Sequence, residues 1–353
     1  MAYTTIDDPT IYFVTVIYTG NDTARTITTG LETTDWIWNK RTDSAGSHLL
    51  YDKVRGINID LNSNSTEADE TQTGTVTAFG TNSFSLGTHG GTNASGETKV
   101  NWCWSAGGTT GSSNSNGSIT STVSVNTTAG FSIVAYSGTT GGASSTIGHG
   151  LGQTPDLVIL KPRSYSGAWW WAQKGRSDKV LELQANNAEV NPATSFGGGG
   201  LKYSTFTNSV FGGTNGTSND DLWNTNGATY IAYCFAQKKG YSSFGSYTGN
   251  GNADGVFVYT GFRPAFVLRK RTDTANNWGI NDNKRDTFNI TENLLTADTT
   301  SAAGDGTGID MLSNGFKMRT NGSLHNASGG TYIYMAFAES PFVNSKGIPT
   351  NAR

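Results

Sequence analysis

The chain has 353 residues, enough for two or three domains of ordinary size, and a net charge of −3 at pH 7. Charged residues make up only 14% of it, which excludes the basic surface typical of nucleic-acid binding and gives no sign of an acidic substrate. The 46 glycines, with abundant serine, threonine and asparagine, disfavour long helices and favour strands joined by tight turns.

The chain opens with Met1-Ala-Tyr-Thr4 and shows no charged segment followed by an apolar run, so we predict no secretory signal. No stretch has the length of a transmembrane helix, and we therefore expect no membrane insertion. We expect the protein to be made and folded in a reducing cytoplasm.

Three segments of the chain share the same ordered landmarks. Each opens with a strand ending in Tyr-Thr-Gly or Tyr-Ser-Gly, continues with an apolar strand ending in a basic residue, and closes with a Gly-x-Thr turn before an aromatic-rich strand. The first landmark ends at Gly20, Gly138 and Gly249, the second at Lys40, Lys161 and Lys270, and the third begins at Gly96, Gly227 and Gly329. Equivalent points lie roughly 100 to 130 residues apart, the size of one sandwich domain.

The repeated strands are apolar on both faces in places, as expected where two sheets stack. We therefore predict an all-β protein of three tandem, divergent, antiparallel β-sandwich modules at residues 1–106, 129–240 and 241–353. Residues 107–128 are rich in glycine, serine and asparagine and are predicted to be a flexible linker. The join at residues 237–240 is short, so we expect the second and third modules to pack more rigidly.

The two cysteines take the same position in two different copies, since Cys103 and Cys234 both precede the last aromatic residue of the closing strand. The third copy has Ala336 there. A position that accepts cysteine or alanine requires a small buried side chain, so we predict no disulfide and no reactive thiolate.

The sequence contains no motif with the residue spacing of a catalytic or metal site. Neither histidine pairs nor Cys-x-x-Cys pairs occur at ligand spacing, and no Gly-x-Ser-x-Gly elbow is present. The four histidines are His48, His89, His149 and His325. We predict no catalytic residue, no cofactor and no metal, although a triad of residues distant in sequence is not excluded. The loops at Asn219-Asp-Asp221 and after Asp282 lack the full calcium-loop pattern, and calcium binding by any loop stays open.

The run Trp169-Trp170-Trp171 is the strongest aromatic feature. Adjacent strand residues point to opposite faces, so one ring is expected in the core while another is available for exposure. An exposed tryptophan stacks on sugar rings or anchors an oligomer interface. We align the run with residues 49–51 and 278–280 of the other copies. The residue types there favour a core position for part of the run, and a ligand or interface role is the alternative.

Several motifs resemble a repeated module of virion structural proteins of tailed phages, especially those that infect aquatic bacteria. These motifs are the opening residues 1–9, Thr128-Ala-Gly-Phe-Ser-Ile-Val134, Gly148-His-Gly-Leu-Gly152, Tyr259-Thr-Gly-Phe-Arg-Pro264 and residues 326–342. The resemblance covers nearly the whole chain and all three copies. It implies a virion protein and supplies no catalytic residues.

The resemblance leads us to expect a structural protein located in the virion and exposed on it, a tail fibre or receptor-binding protein that contacts glycans or proteins of the host surface. The alternative is a capsid decoration or head-fibre protein, and a polysaccharide-degrading tailspike is a third class. Expected partners are other virion proteins and further copies of the chain, and a trimer is expected for a fibre.

The repeat begins close to Met1, so we expect no separate anchor domain or long coiled coil before it. Attachment to the particle is therefore expected through a module surface or through a short N-terminal arm. The candidate attachment residues of this arm are Tyr3, Ile6, Asp7, Asp8 and Pro9. Attachment through a short arm suits a decoration protein as well as a fibre, so it reduces the preference for the fibre interpretation.

Overall fold

The structure is a computed structural model that describes residues 3–139, 145–176, 178–195, 199–214 and 223–350. Over these ranges the protein is all-β, and every pair of neighbouring strands is antiparallel, which confirms the predicted class. The helices are single turns. They are α1 (Gly90–Asn93), α2 (Pro192–Ser195) and the 3-10 helices Pro9–Ile11 and Tyr203–Thr205.

The strands follow one another in three groups along the chain. The first group contains β1 (Phe13–Thr19), β2 (Arg25–Thr28), β3 (Trp36–Arg41), β4 (His48–Asp52), β5 (Ile59–Asn62), β6 (Glu70–Thr71), β7 (Val76–Phe79), β8 (Ser83–Leu86) and β9 (Thr98–Trp104). The second contains β10 (Ser112–Asn114), β11 (Ser121–Asn126), β12 (Phe131–Ser137), β13 (Thr146–Gly148), β14 (Leu157–Pro162), β15 (Trp170–Gln173), β16 (Val180–Glu182), β17 (Gly200–Leu201), β18 (Val210–Thr214) and β19 (Thr229–Phe235). The third contains β20 (Ser242–Thr248), β21 (Phe257–Tyr259), β22 (Phe262–Arg271), β23 (Gly279–Asp282), β24 (Thr291–Thr296), β25 (Gly304–Leu312), β26 (Gly315–Met318) and β27 (Thr331–Pro341).

Three large sheets dominate the architecture. The first sheet has the order β1-β9-β3-β4-β5-β6, the second β10-β11-β12-β19-β14-β15-β16, and the third β20-β27-β22-β23-β24-β25-β26-β21. The small sheets β2-β8-β7 and β13-β18-β17 accompany the first and second. The third sheet curls back until β25 and β26 contact β22, so it is nearly closed, like a barrel.

The same four-strand arrangement occurs once in each large sheet, as β1-β9-β3-β4, β12-β19-β14-β15 and β20-β27-β22-β23. The pairing registers define equivalent residues: Cys103, Cys234 and Ala336 lie opposite Ile37, Val158 and Val267. Both cysteines are free and buried, as predicted from their shared position.

One face of every large sheet contributes to a single central core, which contains residues of all three sheets. Trp36 of the first sheet stacks on Tyr233 of the second at 4.3 Å between ring centroids. Phe337 of the third contacts Trp104 at 5.5 Å and Phe235 at 5.8 Å. The opposite face of each sheet covers a separate outer core. The sheets therefore share their largest hydrophobic cluster.

Residues 107–128, for which the sequence predicts a linker, lie against the second sheet. They contain β10, which forms the edge of this sheet, and β11, which lies between β10 and β12. A Cβ at Gly107 would lie 2.4 Å from the Val125 carbonyl oxygen, and Ser124 Oγ donates to Ala106 O at 2.5 Å. An exposed edge strand needs few apolar residues, so its composition resembles that of a linker.

The Tyr-Thr/Ser-Gly landmark holds the first strand of each copy against the turn that precedes its last strand. In every copy the tyrosine hydroxyl donates to a carbonyl of that turn. The bonds are Tyr18 to Thr92 (2.6 Å), Tyr136 to Trp223 (2.5 Å) and Tyr247 to His325 (2.8 Å). The glycine then passes so close to the turn that a Cβ would lie 2.1, 2.1 or 2.2 Å from the carbonyl oxygen of Ala94, Thr225 or Ala327.

Gly249→Ala is expected to destabilise the protein by about 3 kcal/mol, because the added methyl group overlaps a backbone carbonyl that cannot move without shifting the turn. The matched control is Gly304→Ala, since a Cβ there meets nothing within 4 Å and the backbone is outside the left-handed region. It is expected to change stability by less than about 0.5 kcal/mol. Denaturant unfolding of both variants measures this, and equal midpoints would refute the close-approach explanation.

Candidate functional site

The tryptophan run is buried throughout: Trp169, Trp170 and Trp171 are 0%, 4% and 1% exposed. Trp169 and Trp171 belong to the central core, and Trp170 to the outer core of the second sheet. The alternation of faces predicted from the strand is present, but each ring packs inside the chain. Trp171 contacts Trp278 of the third sheet at 4.9 Å between ring centroids.

Strand register also corrects the alignment of this run in the first copy. Trp170 pairs with the residue before Lys161, and Leu49 pairs with the residue before Lys40. The run is therefore equivalent to residues 48–50, one position earlier than the sequence comparison indicates, and to residues 278–280 as expected. The first copy has His48 where the second has Trp169.

The lysine landmark forms a polar contact between the sheets. Lys40, Lys161 and Lys270 are fully buried, and each Nζ donates to the carbonyl of the residue that follows it and to a loop carbonyl that follows a strand of another sheet. The contacts between sheets are Lys40 to Thr300 (3.3 Å), Lys161 to Thr66 (3.1 Å) and Lys270 to Asn186 (3.1 Å). The first sheet thus binds the third, the second binds the first, and the third binds the second.

A second side chain reinforces each lysine contact. It lies beside the lysine, as the first residue of the next strand or the residue just before that strand, and it reaches the carbonyl four residues before the lysine's acceptor. The pairs are His48 Nε2 with Thr296 O (3.0 Å), Trp169 Nε1 with Asn62 O (2.8 Å) and Trp278 Nε1 with Glu182 O (3.0 Å). His48 Nδ1 accepts from Trp38 Nε1 at 2.8 Å, so Nε2 carries the proton that is donated.

Backbone bonds repeat the same contact. The acceptors Thr300, Thr66 and Asn186 also receive the amides of Gly46, Gly167 and Asn276, at 2.8, 2.7 and 2.8 Å. One contact is therefore made three times in the same direction around the molecule. Such head-to-tail contacts close into a ring when the rotation between units allows it. We call these three equivalent contacts the lysine ring.

Buried acids of the core receive hydrogen bonds from other sheets in the same direction around the molecule. Asp52 of the first sheet pairs with Arg55 and accepts from Tyr233 of the second at 2.8 Å. The equivalent Asp282 pairs with Arg285 and accepts from Trp102 at 3.1 Å. For the second sheet, the equivalent donor position lies on β27 of the third sheet and holds Met335. The acid is replaced there by Gln173 of the second sheet, whose Oε1 accepts from Trp171 Nε1 at 3.0 Å. A buried carboxylate is kept only where donors satisfy it.

Burial dominates the electrostatics of the lysine ring. Removal from water lowers the pKa of Lys161 to about 7, with a partly opposing effect of Asp69. It lowers the pKa of Lys40 to about 8, assisted by the charge of Lys99, and that of Lys270 to about 8. The carbonyls that surround each ammonium replace only part of its hydration.

The stability of the protein is expected to rise with pH between about 7 and 10, in part because of Lys161. An unfolded chain keeps this lysine protonated up to its ordinary pKa, whereas the folded chain releases the proton near pH 7, so the unfolded state carries more protons in this window. Below pH 7 both states are protonated and the contribution is constant.

Lys161→Met is expected to lose this contribution, which is at most about 1.4 kcal/mol per pH unit. Denaturant unfolding at pH 6, 7, 8 and 9 measures the slope of stability against pH. Lys174→Met, at a side chain that is 66% exposed and pairs with Asp156, is the control and should keep the wild-type slope. An unchanged slope in the Lys161 variant would contradict the assignment.

The histidines are engaged in structural bonds. His149 Nδ1 accepts from the Leu151 amide at 3.1 Å, and His89 Nδ1 accepts from the Gly91 amide at 3.1 Å. His325 Nδ1 accepts from Arg269 Nε at 3.0 Å. Within the described ranges, no group of three or more histidine, cysteine, aspartate and glutamate residues is arranged to hold a metal ion. The calcium candidate at residues 219–221 lies outside the described residues.

The N-terminal arm is bound to its own chain. Ile6 lies in the central core, and Pro9 is buried. Tyr3 donates to Gly261 O at 2.9 Å, and the Asp7 carboxylate accepts from Ser345 N and Oγ, both at 2.6 Å. Asp8 Oδ1 accepts from Thr10 N at 3.0 Å and caps the first 3-10 helix. Of the five candidate attachment residues, Asp7 and Asp8 are exposed.

A polar cleft of about 350 Å³ lies beside the first sheet and is lined in part by Arg41, Glu97 and Lys99. Glu97 forms ion pairs with both cations, and Arg41 also pairs with Asp43 at 2.7 Å. The charges of this cleft therefore compensate one another.

The sequence reasoning missed an exposed aromatic pair on β21. Phe257 and Tyr259 are 45% and 57% exposed, while Val258 between them is buried. All three residues of Phe-Val-Tyr are apolar, so the sequence shows no alternation that would indicate an exposed face, and only the structure reveals it.

A family model matches residues 8–341. The chain belongs to the DUF7483 family, described as a domain of unknown function. The DUF7483 match includes all three large sheets and the complete lysine ring. Neither the curated proteins nor the solved structures give a significant match. The described residues form no helix long or apolar enough to span a membrane.

Proposed function

We propose that this DUF7483 protein is a structural component exposed on a tailed-phage virion, a tail fibre or receptor-binding protein that contacts the host surface. The observation that carries the proposal is the lysine ring around a shared core, which makes a rigid body and leaves the outer faces of the sheets available for display. The motifs that resemble the phage module support it further.

Those motifs have structural roles that a repeated module would need to retain. In Gly148-His-Gly-Leu-Gly152, His149 is buried and caps the turn, and Gly150 and Gly152 have φ values of 72° and 71°. L-residues with a side chain rarely adopt this conformation. Folding, rather than catalysis, therefore accounts for the residue types of this motif.

We also infer that the chain is built from three divergent antiparallel β-sandwiches. In the first, Ile27 and Phe84 of the small sheet pack in the same outer core as Ile37 and Cys103. In the second, Phe211 and Leu201 of β13-β18-β17 pack with Val158. In the third, β25 and β26 supply Met311 and Phe316 to the outer core that contains Val267.

We propose a non-enzymatic role. A polysaccharide-degrading tailspike needs two carboxyl groups facing a cleft at a set separation. The buried carboxylates Asp52 and Asp282 are instead paired with arginines and face the central core. These acids stabilise contacts between sheets.

A capsid decoration or head-fibre protein is the second candidate. It is favoured by the arm, which is held by its own chain and still exposes the acids Asp7 and Asp8 for contact with another virion protein, although their carboxylates also accept from Ser345 and Thr10. A compact body with a short acidic contact suits a capsid surface. Homo-oligomerisation, with a trimer expected for a fibre, remains part of the first proposal.

Gold-labelled antibody against the chain, applied to purified virions, distinguishes these positions by electron microscopy. Label at the tail is expected, together with binding of the fluorescently labelled protein to host cells. Label over the capsid, with binding to purified capsids but not to cells, would replace the receptor-binding proposal by decoration. Virions that carry no copies of the chain, by label and by mass spectrometry, would overturn both.

A further inference from the structure

We propose that the outer face of β21 and β26 is a carbohydrate-binding site, formed by Phe257, Tyr259, Lys317 and Asp254. We call these four residues the aromatic face. The inference rests on the proposed receptor-binding function and names the receptor class, a pyranose-containing glycan of the host surface. Aromatic rings that are fixed and half exposed, beside charged hydrogen-bonding groups, are what a sugar ring requires.

The Phe257 ring fills the space that a side chain at Gly315 of β26 would occupy. A Cβ at Gly315 would lie 2.9 Å from Phe257 Cζ and 3.0 Å from Cε2, so the ring covers this glycine. The ring is nevertheless 45% exposed. One part of it packs against the sheet while another part faces solvent. This is a suitable platform for the apolar C–H face of a pyranose.

Tyr259 is held in place by the N-terminal arm. Its hydroxyl lies 3.0 Å from the hydroxyl of Tyr3, which itself donates to Gly261 O at 2.9 Å. Tyr3 therefore accepts from Tyr259. The Lys239 ammonium lies 4.3 Å from the centroid of the Tyr3 ring and restrains it further. A restrained ring loses less conformational entropy on binding a ligand than a free one does.

Polar groups adjoin Phe257 on the same face. Lys317 lies directly opposite Phe257 in the β21–β26 pairing, so both side chains point to the same side. Lys317 Nζ lies 2.5 Å from Asp254 Oδ1, and Arg319 NH1 lies 3.7 Å from the same oxygen. The hydrogen bond from Lys317 lowers the pKa of Asp254, whose side chain is 73% exposed. An ammonium and a carboxylate side by side can donate to and accept from neighbouring sugar hydroxyls.

The geometry favours a glycan over a protein partner. The two exposed rings are two residues apart on a three-residue strand, and a charged pair borders them, so the apolar area is small. Protein interfaces use larger apolar centres. Phe288 offers a contrast, because it is 83% exposed and its neighbour Ile290 is also exposed. It supplies a matched control for an exposed ring outside the aromatic face.

The test measures binding of the full chain to immobilised lipopolysaccharide and capsular polysaccharide from the host, and to whole host cells. The wild type should bind cells and at least one polysaccharide. Phe257→Ala and Tyr259→Ala should each weaken polysaccharide binding about tenfold, as loss of one stacked ring does in other aromatic sites. Phe288→Ala should bind as the wild type. Thermal unfolding confirms that the variants are folded.

The outcomes separate this site from the proposed function. If the wild type binds cells and the two aromatic-face variants bind polysaccharide equally well, the site is wrong while receptor binding stands. If binding to cells survives periodate oxidation of their glycans but is lost after protease treatment, the receptor is a protein and the carbohydrate proposal fails. If the wild type binds neither cells nor polysaccharides, receptor binding fails together with the site.

Discussion

A buried lysine ammonium must find hydrogen-bond acceptors to replace water, because leaving it unsolvated costs several kcal/mol. In this protein each sheet supplies one acceptor for its own lysine, and a loop that follows one of its strands supplies an acceptor for the lysine of another sheet. The hydrogen-bond requirements of the three lysines are satisfied together only when the three sheets surround a common core. The shared aromatic cluster depends on that closure. So do Asp52 and Asp282, since each accepts a hydrogen bond from a side chain of another sheet in addition to the ion pair with its neighbouring arginine.

Closure leaves the outer faces of the sheets free to differ. The first and second sheets carry separate small sheets, whereas the third continues into β24, β25, β26 and β21. That extension places Phe257 and Tyr259 at the surface, and the N-terminal arm, anchored in the core by Ile6, brings Tyr3 to them. The proposed receptor contact thus lies where the three copies differ most. The proposed rigid display role and the proposed glycan site are consistent with this separation between a common interior and a variable exterior.

Much of the interior could be predicted from the sequence. The landmarks around Gly20 and Lys40 mark strands in all three copies, and the shared position of Cys103 and Cys234 indicates a buried site because cysteine alternates with alanine. A repeat shows which residues are equivalent, but it does not show which faces meet, so the partners of Lys40 in another sheet and the complete burial of Trp169–Trp171 could not be foreseen. The composition of residues 107–128 wrongly indicated a flexible linker, since polar strands near a sheet edge and linkers are rich in the same residue types. The aromatic face escaped detection because Phe-Val-Tyr is equally compatible with a buried strand.

Cooperativity of unfolding tests most directly whether the three sheets form one body. Leu157→Ala removes a buried side chain of the second sheet from the central core and should destabilise the whole chain by about 2–5 kcal/mol. Hydrogen exchange under increasing denaturant should then show that amides of β3, β14 and β22 lose protection in one transition, shifted equally by the substitution. If β14 opened at lower denaturant while β3 and β22 kept their wild-type protection, the sheets would be independent and the account of a shared, closed core would be wrong.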